Sequence, residues 1–180
     1  MKKMLLSLAT CVIMATLAHA QTEKGDWLVG GLFQLNTAKT NTHIGLTPMG
    51  GKFVVNNLAV GADINLDYTK SGTDKVTQFG IGPFARYYFL KNRVRPIIQV
   101  DVNFLSTKSK GTGYSSTNNG TNYFLGGGLA YFVNDNVSIE GLAGYDHTKY
   151  SSFDGSGGFM FTIGFQVYLH ATEVAHLKGQ

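Results

Sequence analysis

The sequence predicts an all-β protein: an eight-stranded antiparallel up-and-down transmembrane β-barrel. Apolar residues recur with a period of two, which is typical of strands with one apolar face, rather than with the period of 3.6 that indicates a helix. Eight such segments are separated by connections that alternate between short and long, as in a membrane barrel with tight turns at one end and longer loops at the other. Only 14% of the residues are charged, against about 25% in an ordinary soluble domain.

The N-terminal residues have the pattern of a secretory signal peptide. Lys2 and Lys3 precede an apolar run, and the small residues around His19 fit a cleavage site before Gln21. The sequence therefore predicts three parts: a signal peptide (1–20), a β-barrel (21–170) and a C-terminal tail (171–180).

The cysteine content argues against a disulfide-stabilised protein, and the charge balance argues against a nucleic-acid-binding protein. Cys11 is the only cysteine and lies within the predicted signal peptide, so the exported chain would contain no disulfide. A lipoprotein anchored at Cys11 is the less favoured alternative, because Thr10 and the apolar run that continues past the cysteine fit a lipoprotein signal poorly. Removing Lys2 and Lys3 from the 15 basic residues leaves 13 against 11 acidic ones. This balance does not indicate a nucleic-acid partner.

The predicted strands are each close to the 9–11 residues that a tilted strand needs to cross a bilayer. In the fifth strand, Ile98 and Val100 lie on one face and Gln99 on the other. β-Branched and aromatic residues dominate, and glycines interrupt segments where a helix would be destabilised. The eight predicted strands are 26–36, 46–55, 58–68, 77–89, 95–105, 121–132, 137–147 and 158–169.

The connections between these strands differ in composition at the two ends of the barrel. The short ones, at 56–57, 91–93 and 134–136, contain Asn or Asp, which tolerate the positive φ of hairpin turns. The long ones are rich in Ser, Thr, Asn, Gly and Lys, and we expect them to be mobile and extracellular. The long connections are 37–45, 69–76, 106–120 and 148–157, of which 106–120 is the longest.

Aromatic residues decide which face meets lipid. A soluble barrel would carry Lys and Glu on its outer strand positions, whereas here most lysines fall outside the predicted strands. The apolar face instead has aromatics near both strand ends, as expected for the two girdles of a membrane barrel. The predicted girdle on the short-turn side is Trp27, Phe53, Tyr87, Phe89, Tyr131 and Phe165; that on the long-loop side is Phe33, Tyr68, Phe79, Phe104, Tyr123, Tyr145 and Phe159.

The strand and turn layout resembles the small outer-membrane β-barrels of the OmpX and OmpA-barrel type. The segment Thr47–Gly61 looks like the strand, tight turn and strand of such proteins, and Tyr131–Ile139 repeats the pattern. The resemblance implies location in the bacterial outer membrane, contact with outer-membrane lipid and lipopolysaccharide, and insertion by the outer-membrane assembly machinery. Such barrels usually end at an aromatic residue of the last strand, whereas this chain continues through the tail at 171–180. The family includes adhesins, anchors, small pores and proteins of unknown role.

The opposite face of the strands predicts a polar lumen. Charges inside a narrow barrel must pair, because an unpaired buried charge costs several kcal/mol. We predict a structural network centred on Arg86, with Asp101 as its first partner, because a turn near 92–94 places them on adjacent strands. A selective pore is the alternative reading of the same charges. The predicted lumen network is Arg86, Asp101, Asp63, Glu140 and Lys52, and the same face also receives Asp67 and Asp146.

Lysines outnumber acidic residues in the long connections. Six lysines accompany only Asp74 and Asp154 on the side that we assign to the exterior. Ordinary solubility explains this excess, and contact with the phosphates of lipopolysaccharide is the functional alternative. These extracellular lysines are Lys39, Lys70, Lys75, Lys108, Lys110 and Lys149.

No set of residues in the sequence has the spacing of a catalytic or metal site. His147 and His43 are isolated, and a zinc site needs three or four converging ligands. We therefore predict no enzyme activity, no cofactor and no metal, and a structural or surface-interaction role through the polar extracellular loops. A small pore is the alternative, and a lipid-modifying enzyme is a distant third. For the enzyme, the candidate residues lie in or beside the long connections: His43, Asp146, His147, Ser151, Ser152 and Asp154.

Overall fold

The chain forms a closed barrel of eight antiparallel strands in the computed structural model, which describes residues 22–37, 41–151 and 154–171. The predicted signal peptide, Lys39, Ser152 and most of the predicted tail lie outside the described residues. Among the described residues, no helix is long and apolar enough to span a membrane. The strands are β1 (Trp27–Thr37), β2 (Asn41–Val55), β3 (Leu58–Ser71), β4 (Asp74–Tyr88), β5 (Val94–Gly111), β6 (Tyr114–Asn134), β7 (Val137–Tyr150) and β8 (Ser156–Leu169).

Each strand pairs with its neighbours in sequence, and β1 pairs with β8 to close the sheet. Closure removes both sheet edges, so every strand is hydrogen-bonded on two sides as a bilayer requires. The short turns lie at one end, where Asn57 has a φ of 67° and Leu90 a φ of 65°. The predicted turn at 56–57 is therefore confirmed, and an asparagine occupies its left-handed position.

The outer wall is apolar between two aromatic girdles. Of the thirteen aromatic residues predicted for this wall, twelve are exposed on it. Phe53 is the exception, because it is only 1% exposed and lies inside the lumen. The predicted register of β2 is thus wrong by one residue. Lys52, predicted for the lumen, is exposed on the outer wall with its ammonium 5.4 Å from the centre of the Trp27 ring, where a long cationic side chain reaches interfacial water.

The long connections are shorter than predicted, because the strands continue through them. β5 extends to Gly111 and β6 begins at Tyr114, so most of the segment 106–120 is paired strand and not a mobile loop. Gly113 has a φ of 83° and completes the tight turn. The pairing was not predicted because Ser, Thr, Asn and Lys occur on both faces of this ribbon, so no apolar alternation indicates a strand.

Glycine allows close packing at one point of the lumen wall. A Cβ at Gly128 would overlap the carbonyl oxygen of Gly141, and one at Gly126 would overlap the ring of Phe124. These glycines let β6 and β7 approach closely and leave room for a large aromatic side chain inside the barrel.

The orientation of the barrel can be tested at its two ends. We expect Thr112→Cys, in the turn between β5 and β6, to react with a membrane-impermeant maleimide on intact cells. Asp135→Cys, in the short turn between β6 and β7, is the matched control and should react only after the outer membrane is disrupted. We call the end of the barrel opposite the short turns the long-strand end. The reverse pattern of labelling would contradict its assignment to the exterior.

Candidate functional site

The lumen contains a buried ion pair. Arg86 projects from β4 and Glu140 from β7, and one Arg86 guanidinium nitrogen lies 2.5 Å from a Glu140 carboxylate oxygen. Both side chains are completely buried. Arg86 also donates to Gln99 Oε1, through Nε at 2.8 Å and through Nη2. An arginine fork held from two sides in this way has little freedom to rotate.

Hydroxyl groups satisfy the rest of the Glu140 carboxylate. Glu140 Oε1 accepts hydrogen bonds from Ser138 at 3.0 Å, Tyr168 at 3.1 Å and Tyr88 at 3.4 Å. The Tyr168 and Tyr88 hydroxyl oxygens also lie 3.0 Å apart. We call Arg86, Gln99, Glu140, Tyr88 and Tyr168 the lumen layer. Its groups come from β4, β5, β7 and β8, so it crosses the lumen from wall to wall.

Aromatic rings close the lumen on the short-turn side of this layer. Phe53 packs against the rings of Tyr88 and Tyr168, and Phe132 packs 4.9 Å from the Tyr168 ring. The guanidinium of Arg95 lies 4.5 Å from the centre of the Phe132 ring. All four of these rings are buried inside the barrel.

The N-terminal segment covers the short-turn mouth of the barrel. Arg95 donates to the Thr22 hydroxyl at 2.7 Å, and the backbone amide of Asn57 donates to the Thr22 carbonyl at 2.7 Å. Asp26 accepts a hydrogen bond from His170 at 3.0 Å, which joins this segment to the end of β8. The N-terminal segment therefore covers the buried aromatic rings at the short-turn end of the lumen.

The structure brings together only part of the predicted network. Arg86 and Glu140 form its centre, whereas the prediction that Asp101 is the first partner of Arg86 is wrong. Gln99 stands directly opposite Arg86 in the register of β4 and β5, and Asp101 stands opposite Phe84. Asp101 accepts instead from Gln99 Nε2 at 2.9 Å, so it supports the lumen layer through Gln99.

Asp63 is buried but lies outside the lumen layer. It is 1% exposed, and neither carboxylate oxygen has a hydrogen-bond partner of normal geometry in the described part of the chain. The predicted network did not include Tyr88, Tyr168 or Gln99. Tyr88 and Tyr168 occupy lumen positions of their strands, and this parity was the only signal that could have identified them.

A small inner cavity lies between the lumen layer and a wider vestibule. The inner cavity has a volume of about 50 Å³ and is lined by Gln99, Asp101, Asn103 and Thr162 among others. The vestibule has a volume of about 380 Å³ at the long-strand end, and Asp67 and Asp146 line it. Polar groups line both spaces, so they can hold water. The open part of the lumen therefore ends at the lumen layer.

His43 is held by an acidic partner in the vestibule. Its Nε2 lies 3.0 Å from Asp67 Oδ1, and Gln78 donates to the other Asp67 oxygen at 3.4 Å. We call the aromatic girdle on the long-loop side, which includes Tyr68, the outer girdle. His43 stands one position beyond it, because its neighbour Ile44 pairs with Tyr68. The hydrogen bond with Asp67 raises the pKa of His43 above its usual 6.5, and this effect outweighs burial, which lowers the pKa.

Titration of His43 tests this arrangement. The raised pKa means that the pair stabilises the fold fully below pH 6.5, and that this contribution is lost as the pH rises through the folded-state pKa. We expect NMR of the ring protons in detergent micelles to give a pKa above 6.5, and Asp67→Asn to lower it. A His43 pKa that is the same in the wild type and in Asp67→Asn would contradict the pairing.

The residues considered for enzyme chemistry do not converge. Asp146 faces the vestibule, whereas the next residue, His147, faces the outer wall, because adjacent residues of a strand point to opposite sides. His43 is engaged with Asp67. Among the described residues, no group of three His, Cys, Asp or Glu side chains is placed to hold a metal ion.

The family of the chain follows from its match to a family model. Residues 5–172 match the model of the outer membrane protein beta-barrel domain. The chain belongs to this family. It is therefore an outer-membrane protein, and the lipid face, the girdles and the closed sheet are those of a membrane-embedded barrel. No curated protein sequence matches the chain.

Solved structures share the fold of this outer-membrane barrel. Neisserial surface protein A (NspA) superimposes with a TM-score of 0.59 at 17% identity, over 80% of this chain and 97% of that one. OprG from Pseudomonas aeruginosa gives a TM-score of 0.53 at 17% identity, over 85% and 99%. Ail, the attachment invasion locus protein of Yersinia pestis, gives a TM-score of 0.52 at 14% identity, over 81% and 99%. At these identities the likeness shows the fold alone.

Proposed function

We propose that this outer-membrane barrel has a structural or surface-interaction role, that its lumen is closed, and that it is not an enzyme. The lumen layer is the observation that carries the proposal. Its ion pair and both tyrosines are completely buried and bonded to one another. An eight-stranded barrel has an interior just wide enough for side chains to fill, so a layer of this size leaves no continuous path for solutes.

The ribbon formed by β5 and β6 supports a role at the cell surface. Seven residues of β5 follow Phe104 of the outer girdle, so the ribbon extends roughly 20 Å further along the strand. It exposes Ser, Thr, Asn and Lys side chains. Two of the similar structures are described as a surface protein and as an attachment invasion locus protein, which agrees with the proposed role.

A small pore is the second candidate, and the vestibule favours it. The vestibule and the inner cavity together reach from the long-strand end to Gln99. A pore would require the lumen layer to open, which would separate Arg86 from Glu140. The cost of unpairing such buried charges favours the closed lumen.

Solute uptake by vesicles tests the proposed function. We expect liposomes that contain the folded protein to swell in arabinose no faster than empty liposomes. Swelling that increases in proportion to the amount of protein would overturn the closed lumen. Lipid A extracted from overexpressing cells should keep the mass that it has in control cells, and a new lipid A species would support the enzyme alternative instead.

A further inference from the structure

Three lysines stand side by side on the outer wall of the barrel. Lys70 of β3 is paired directly with Lys75 of β4, and Lys75 is paired directly with Lys110 of β5. Paired residues point to the same face, and this face also carries Tyr68 and Phe104 of the outer girdle. Lys108 adds a fourth ammonium two residues below Lys110 on the same face. We call these four residues the lysine cluster.

The lysine cluster is unfavourable without a ligand. Like charges directly opposite on neighbouring strands destabilise a sheet, and this arrangement contains two such pairs in a row. In the part of the chain that the structure describes, no carboxylate forms an ion pair with any of the four lysines. The nearest acidic residue in sequence, Asp74, has the opposite strand parity to Lys75 and faces the other side of the sheet.

Hydroxyl side chains surround the ammonium groups. Thr42 is paired with Lys70, and Ser115 with Lys110, so one row of the wall reads Thr, Lys, Lys, Lys, Ser. In the row below, Thr77 and Thr117 flank Lys108. Ammonium and hydroxyl groups are donors that suit the oxygens of a phosphate group.

The height of the cluster above the membrane identifies the source of the phosphate. Lys70 is two residues beyond Tyr68, and Lys108 is four residues beyond Phe104. At about 3.3 Å per residue and a tilt of about 40°, the ammonium groups stand roughly 5–10 Å outside the girdle, which is the depth of the lipid headgroups. The side chains point away from the barrel axis, towards neighbouring lipids rather than towards the vestibule.

From this placement we infer that the outer wall of β3, β4 and β5 is a binding site for the phosphate groups of a phosphorylated outer-leaflet glycolipid. The three lysines of the upper row span two strand spacings, roughly 10 Å, so the site can contact more than one phosphate group. The inference deepens the proposed surface role, and it depends on that role only in placing the long-strand end outside the cell. It does not depend on whether the lumen conducts.

Lipid binding by matched variants tests the site. The probe is bis-phosphorylated lipid A, added to the folded protein in zwitterionic detergent and counted by native mass spectrometry. The test variant is K70Q/K75Q/K108Q/K110Q. The control, K24Q/K52Q/K91Q/R93Q, removes four exposed cations near the short-turn end of the barrel. We expect affinity to fall about tenfold or more in the test variant, because each lysine near an anionic surface contributes measurably, and less than about threefold in the control.

The other outcomes would overturn the inference. Equal losses in both variants would show attraction by net charge alone, and equal binding of dephosphorylated lipid A would exclude the phosphate as the recognised group. Suppression of lipid A binding by millimolar inorganic phosphate would assign the cluster to free phosphate. Failure of this test leaves the liposome-swelling result unaffected, so it is distinguishable from failure of the closed lumen.

A single substitution gives a second readout that does not depend on counting lipids. Lys75→Gln removes the central charge of the row, so it should raise the urea midpoint of unfolding in zwitterionic detergent by relieving repulsion. In micelles that contain lipid A, the same substitution should lower the midpoint relative to the wild type. The same direction of change in both media would contradict a phosphate site at this position.

Discussion

Arg86→Ala is expected to lower the free energy of unfolding by about 3–5 kcal/mol, because it leaves the Glu140 carboxylate buried without its cation. The measurement is unfolding by urea in detergent or lipid. Arg93→Ala is the matched control, since Arg93 is exposed, donates to two backbone carbonyls at a turn and lies over the Tyr131 ring without a carboxylate partner in the described part of the chain. It should cost about 1 kcal/mol or less.

A double variant separates the ion pair from general packing. Arg86→Met combined with Glu140→Gln removes both charges and keeps most of the volume, so it should be markedly less destabilising than the sum of the two single changes. Additive losses would mean that the two residues do not interact. Equal small losses for Arg86→Ala and Arg93→Ala would indicate a wet lumen that screens the pair.

Val100→Arg is expected to destabilise the barrel by about 2–4 kcal/mol, because Val100 faces lipid near the middle of the bilayer. Val94 lies on the same face of the same strand, but at the girdle on the short-turn side. Val94→Arg should therefore lower the free energy of unfolding by only about 0–1 kcal/mol. Refolding into lipid vesicles followed by urea titration measures both. Equal costs at the two depths would contradict the placement of the membrane.

The architecture was predictable from the sequence because two independent patterns agree. Period-two alternation gives the strands, and alternating short and long connections give the topology. Ile98, Val100 and the twelve outward aromatics lie where alternation places them. The lumen side of β4 and β7, which carries Arg86 and Glu140, follows from the same parity.

Two kinds of feature were not predictable from the sequence. They are the register of segments without a clear apolar alternation, and the side-chain contacts that span the lumen. Phe53 is followed by two valines, so alternation in β2 is ambiguous, and the burial of Phe53 under two tyrosines decides the register. Gln99 lies on the predicted lumen face but was not predicted as a member of the network; it is 2% exposed and accepts a hydrogen bond from Arg86. Asp101 is on the correct face, yet the long arginine side chain reaches Glu140 across the barrel instead.

The lysine cluster shows how strand extension changes the interpretation of the sequence. As loop residues, these lysines would be separate charges on mobile segments. Once β3, β4 and β5 continue to Ser71, Asp74 and Gly111, the pairing register places Lys70, Lys75 and Lys110 in one row. The lysines thereby form a compact cluster with a defined position on the outer wall.

Planar-bilayer conductance of the wild-type protein tests the closed lumen most directly. We expect no steady channel after insertion of protein that has been verified as folded, because the lumen layer joins β4, β5, β7 and β8 across the lumen. Arg86→Ala, if it folds, should show more frequent openings than the wild type. A large steady conductance of the wild type that Arg86→Ala leaves unchanged would contradict the closed lumen.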